Sequence, residues 1–126
     1  MGYETKVYIG TASDFMSENG KRYFMTSAMV DLCKVDYLGY NPTEREAKGI
    51  PIFMYGSDGD TKILEDKYGE KLYALPIAEF LERLQKCDDG LYIRYRWLIQ
   101  LLHSMTKIPR KGSHGTQPTH VVLFGY

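Results

Sequence analysis

Around residue 7 the chain alternates. Thr5, Val7 and Ile9 fall on one side, and Glu4, Lys6 and Tyr8 on the other. A period of two predicts a half-buried strand. Ser17-Glu18-Asn19-Gly20 follows, and Asn-Gly supplies the positive φ that a tight hairpin turn needs. The return segment from Arg22 is rich in Tyr, Phe, Met and Val. The pattern predicts a long hairpin with strands near 4–15 and 22–34. Thirteen uninterrupted residues is long for one strand, so Gly10 or Ser13 is expected to mark a bend or bulge. Residues 24–30 also fit the start of a helix capped by Thr26 or Ser27.

Asn41-Pro42 predicts a turn. Thr43 to Lys48 then fits a short helix capped by Asn41 or Thr43 and closed by Gly49. Ile50 to Tyr55 reads as a strand that opens on a proline, as edge strands and strand starts do. Asp58-Gly59 turns the chain back through 61–65, and a second turn at 66–69 sends it into 70–75. The expectation here is a meander of three short strands.

The stretch from Asp66 to Leu84 is the pivot of the sequence. At Pro76 the hydrophobic period changes from two to about three and a half. Proline suits a first helical position because its missing N–H would have no partner there. Helix one is expected over 76–86, with Ile77, Phe80, Leu81 and Leu84 on its apolar stripe and a Glu79–Arg83 pair outside. Helix two is expected over about 91–105, capped by Asp88 or Asp89. Leu91, Leu98, Ile99, Leu101, Leu102 and Met105 give it a broad apolar face, widened by a buried Trp97. Residues 108–118 carry two glycines and two prolines and read as an exposed loop. Val121-Val122-Leu123-Phe124 is nearly continuous, as in an interior strand buried on both faces, and its natural place is beside the first strand. The fold class is therefore α+β. An antiparallel or mixed sheet of five to six strands, built from hairpins, has one face covered by two consecutive helices.

Length changes this picture only by confining it to one domain, residues 1–126, large enough to bury a core without staples. No apolar run is long enough for a transmembrane helix. The N-terminal residues lack a secretory pattern. The expected compartment is the cytoplasm, with Cys33 and Cys87 as free thiols and no membrane partner.

Charge changes it more. The formal net charge is zero, but residues 1–89 hold all sixteen acidic residues against eleven basic ones, a net of −5. Residues 90–126 hold Arg94, Arg96, Lys107, Arg110 and Lys111 and no acid, a net of +5. Such asymmetry suits an anionic ligand or head-to-tail association of copies.

The candidate site follows from the charge. Arg94, Lys107, Arg110, Lys111, Ser113, His114 and His120 place cations and a hydroxyl around two glycines, where an anionic ligand or partner is expected. The order of a P-loop is absent. Tyr92, Arg94, Tyr95, Arg96 and Trp97 interleave base and aromatic, but alternate residues of a helix point apart, so nucleic acid is not the favoured partner. No catalytic residues are assigned. Ser113 and His114 are adjacent, which denies the histidine a base geometry toward its neighbour, and His114-Gly115-Thr116 gives a phosphoesterase triplet once rather than twice. Asp58-Gly59-Asp60 carries half the oxygens of a calcium loop and lacks the acidic closing position. No metal and no cofactor is expected.

Eleven tyrosines are unusual for this length and suit a surface that alternates between wet and dry. The expected function is a small non-enzymatic interaction protein that associates with itself and with a protein partner. The chain is compatible with a phage or mobile-element accessory protein acting on a host macromolecule. Two alternatives stay open: a binder of an anionic small ligand such as a nucleotide, and a small hydrolase.

Overall fold

A computed structural model describes residues 4–32, 40–86, 96–107 and 118–126. Six strands form the sheet: β1 (Thr5–Glu18), β2 (Lys21–Leu32), β3 (Ile50–Tyr55), β4 (Lys62–Ile63), β5 (Tyr73–Pro76) and β6 (His120–Gly125). Among the described residues three helices accompany them: α1 (Pro42–Lys48), α2 (Ile77–Lys86) and α3 (Arg96–Lys107). The strand order is β2-β1-β6-β5-β3-β4. Arg22 and Tyr23 of β2 also pair with Ile52 and Phe53 of β3, in parallel. This contact curls five strands into a ring, β2-β1-β6-β5-β3. An odd ring cannot alternate direction all the way round, so one pair must be parallel. The closure is short because β4 takes over pairing with β3 at Met54 and Tyr55.

The alternation at the start of the chain builds the β1–β2 hairpin. Asn19 and Gly20 both have positive φ, 53° and 77°, as the two-residue turn requires. Residues 24–32 are strand, which settles the strand-or-helix alternative. The expected bulge is present, and its extra residue lies on β2. Ile9 faces Ala28 and Gly10 faces Thr26, leaving Ser27 over. The bulge reverses which face each β2 side chain serves. Ala28 and Val30 pack on the helix side of the sheet, whereas Phe24 packs inside the ring.

Two cores share one sheet. Val7, Ile9, Leu75, Val121 and Leu123 meet α2 and α3 through Phe80, Leu84, Leu98 and Leu102. Phe24, Ile52, Met54, Leu72, Ala74, Val122 and Phe124 fill the ring interior. β6 therefore lies between two apolar layers beside β1, with Val121 to Phe124 all buried. This is the interior strand that the continuous run predicts.

Some expectations are corrected. β5 pairs with β3 on the side away from β4, so the three short strands do not follow one another as a simple meander. Glu65 and Lys71 form one bridge across the 66–69 turn. Pro76 ends β5 rather than opening α2. Alongside the pairing expected between them, Glu79 and Arg83 both reach to the α1 region. Glu79 accepts from Tyr40 Oη at 2.6 Å and from Lys48 Nζ at 2.7 Å. Arg83 pairs with Glu44 and lies 4.1 Å over the Tyr40 ring. Trp97 is 49% exposed and does not widen the core face of α3. Cys33 and Cys87 lie outside the described residues.

Candidate functional site

The sequence-predicted site is largely outside the described residues. Arg94, Arg110, Lys111, Ser113 and His114 all fall there, and Lys107 is described only as the last residue of α3. His120 is described. It opens β6, pairs with Gly10 of β1 and Pro76 of β5, and is half-buried. Its Nδ1 is 2.7 Å from the Thr119 hydroxyl. Burial, followed by the charge of Arg22, pushes its pKa below the usual 6.5. The imidazole is therefore neutral near pH 7. In that form it offers one donor and one acceptor, and no positive charge.

Among the described residues no group of three or more His, Cys, Asp or Glu could hold a metal ion. The Asp58 turn illustrates why. Asp58 Oδ1 accepts from the backbone N–H of Asp60 and of Thr61, both at 2.9 Å, and Oδ2 accepts from the Thr61 hydroxyl at 2.6 Å. The carboxylate is used in shaping its own turn. The Thr61 hydroxyl and these backbone donors hold its pKa down to about 2, against an ordinary 3.8. The stabilisation is thus present above 3.8 and fades as the pH falls through about 2. Asp58→Asn is expected to melt below the parent above that window, and the two melting temperatures should converge at its acid end. A constant gap across an acid titration would contradict this assignment.

Two surface features remain. The first is the edge of β2. Beyond the two closing pairs with β3, no described strand pairs with the outer edge of residues 24–32. Met25 and Met29 of this strand are 53% and 46% exposed. Edges in soluble proteins are usually blunted by charge or proline. From Phe24 to Val30 this strand has neither.

The second is a cleft of about 300 Å³ between α1 and the 66–69 turn, lined by Pro42, Arg45, Glu46, Gly69, Glu70, Lys71 and Tyr73. Asn41 caps α1 by accepting from Glu44 N at 2.7 Å, and that start sets the helix rotation. The rotation turns Arg45 inward, where its side chain is only 3% exposed. Its Nη2 pairs with Glu70 Oε2 at 4.0 Å. Gly49 lets the helix approach β5 this closely. A Cβ at that position would sit 2.7 Å from both the Arg45 carbonyl oxygen and Tyr73 Cβ.

Sequence reasoning missed Arg45. A signal existed: Pro42-Thr43-Glu44-Arg45-Glu46-Ala47-Lys48 has Ala47 as its one non-proline apolar residue. A helix so composed can dock only by turning a polar side chain inward.

No protein-family model, curated protein or solved structure matches the chain.

Proposed function

We propose that the chain is a small non-enzymatic interaction protein whose first partner is a second copy of itself, joined along β2. The observation that supports this reading is the stretch of the β2 edge from Phe24 to Val30, uncharged and with two exposed methionines. Edge strands recruit strands through unpaired backbone groups, and alternate side chains then set the register. The Ser27 bulge interrupts the edge, so the straight run is 28–32. A two-fold axis at Met29 places Met29 opposite its own copy and Ala28 opposite Val30. Methionine suits such a contact because its unbranched thioether adapts to the facing surface.

The test is sedimentation velocity over a range of concentration, on the parent and on a Met25→Lys/Met29→Lys double variant. The parent is expected to dimerise in the micromolar range. The variant should remain a monomer, because the two lysines at position 29 would face each other across the axis. Its melting temperature should stay close to the parent's, because both positions are exposed and such substitutions usually change stability by about 0.5 kcal/mol or less each. A parent that stays monomeric throughout, or a variant that dimerises equally well, removes this reading.

A further inference from the structure

We infer that Met29 is a redox-controlled modification site, at which a peroxide converts the thioether to the sulfoxide and so releases the β2 dimer. This rests on the dimer proposed above and names how that contact is regulated.

Exposure carries the first argument. The chain has six methionines. Among those whose side chains are described, Met54 is 4% exposed inside the ring, and Met105 packs partly buried against the helix-side core. Met25 and Met29 are the exposed pair, both on β2. Oxidation follows access to the sulfur, so a peroxide selects these two in the monomer. The oxidant is hydrogen peroxide. A sulfur lone pair attacks one peroxide oxygen, and the S–O bond forms as the O–O bond breaks. The proton on the transferred oxygen passes to the departing hydroxide, which leaves as water. Sulfur loses two electrons and the peroxide gains them.

Symmetry carries the second. With the two-fold axis at Met29, this residue meets its own copy as a cross-strand pair. Two thioethers form an apolar, adaptable contact. Two sulfoxides do not. Each oxygen only accepts hydrogen bonds, so neither can donate to the other, and both lose water when the strands meet. Met25 lies on the other side of the Ser27 bulge from the axis and has no copy of itself opposite. The same modification there leaves the contact intact, although Met25 is the more exposed of the two. The dimer in turn covers Met29, so association and oxidation oppose each other.

Sedimentation velocity before and after hydrogen peroxide treatment tests this, with peptide mass spectrometry giving the extent of oxidation at each methionine. Met25→Leu and Met29→Leu are run beside the parent, because leucine is close in volume and has no sulfur to oxidise. The dissociation constant of the parent is expected to rise about tenfold or more on oxidation, since each dimer would bury two unpaired acceptors. Reduction by methionine sulfoxide reductases specific for the two epimers should restore the dimer. Met25→Leu should respond as the parent does. Met29→Leu should dimerise equally well with and without peroxide. Both variants keep Cys33 and Cys87, so release through a thiol would appear in Met29→Leu as well. A further readout needs no variant. In the parent, the oxidation rate of Met29 should fall several-fold as protein concentration rises through the dissociation constant, while that of Met25 stays level. Three results would overturn the inference. A parent fully oxidised at Met29 dimerises as tightly as before; or peroxide releases Met29→Leu; or the Met29 oxidation rate ignores concentration in a parent that dimerises. A parent that is monomeric before any treatment removes the β2 dimer itself, which the untreated samples show separately.

Discussion

Gly10→Ala is expected to be among the most damaging single-methyl substitutions in this protein. A Cβ built at Gly10 would sit 1.9 Å from the Met25 carbonyl oxygen, 2.8 Å from its carbonyl carbon and 3.0 Å from Thr26 Cα. These are backbone atoms of the neighbouring strand, so no rotamer change relieves the clash. Gly10 faces Thr26 where β2 carries its extra residue. The bulge presses the β2 backbone over the β1 position, and only a residue without a side chain fits beneath it. Parting the two strands would disturb the β1–β2 ladder at the point that sends Phe24 into the ring and Ala28 to the helix side. A cost of about 3 kcal/mol or more follows from overpacking against an unyielding backbone. That is a large share of the roughly 5–15 kcal/mol by which domains are stable. Gly59→Ala is the control. Gly59 has a φ of 79° and nothing within 4 Å of its missing Cβ, so its substitution should cost only about 1–2 kcal/mol of left-handed strain. Chemical denaturation of both variants gives the comparison. A Gly10→Ala loss no larger than that of Gly59→Ala would mean that the bulge yields.

The same bulge explains what could and could not be read from the sequence. Asn19-Gly20, the Asn41 cap and the interior strand at 121–124 each depend on a few adjacent residues, and each appears where local chemistry puts it. Phe24, Ala28 and Val30 all sit at even positions, so simple alternation assigns them to one face. The extra residue at Ser27 separates them, and nothing in the pattern of β2 itself marks it; the mark is Gly10 on the facing strand. The ring closure depends on two residue pairs between β2 and β3, thirty positions apart. Such a contact has no local signature. The exposed Trp97 shows the converse: size and hydrophobicity favour burial, but the rotation of α3 is fixed by Leu98, Ile99 and Leu102 instead. For the site, charge asymmetry pointed to the 107–120 segment, which lies mostly outside the described residues. The buried Arg45 lies in the acidic part of the chain, where a regional charge count conceals a single cation turned inward.

Asp66→Ala is the second large effect, and it bears on the cleft as well as on the fold. Asp66 is a buried carboxylate with 6% exposure. Its Oδ1 accepts from Tyr68 N at 2.8 Å and from Glu70 N at 3.0 Å, which holds the turn. Its Oδ2 accepts from Gly125 N at 3.2 Å, which ties that turn to the end of β6. Backbone bonds run alongside, with Lys67 N donating to the Gly125 carbonyl at 3.0 Å and Asp66 N to the Glu70 carbonyl at 2.9 Å. Alanine would leave three N–H groups without this acceptor. At about 1 kcal/mol or more for each bond to a charged acceptor, the expected loss is about 3 kcal/mol. Asn keeps one carbonyl oxygen for the turn but presents its NH₂ to the Gly125 N–H, so Asp66→Asn should lose less than Ala and lose it at β6. Amide exchange separates the two. Gly125 should exchange faster in both variants, and Tyr68 and Glu70 faster in Ala alone, each beyond the global loss of stability. The turn also carries Gly69, Glu70 and Lys71 into the wall of the Arg45 cleft. An Asp66→Ala protein within about 1 kcal/mol of the parent would show that the backbone bonds alone hold the turn.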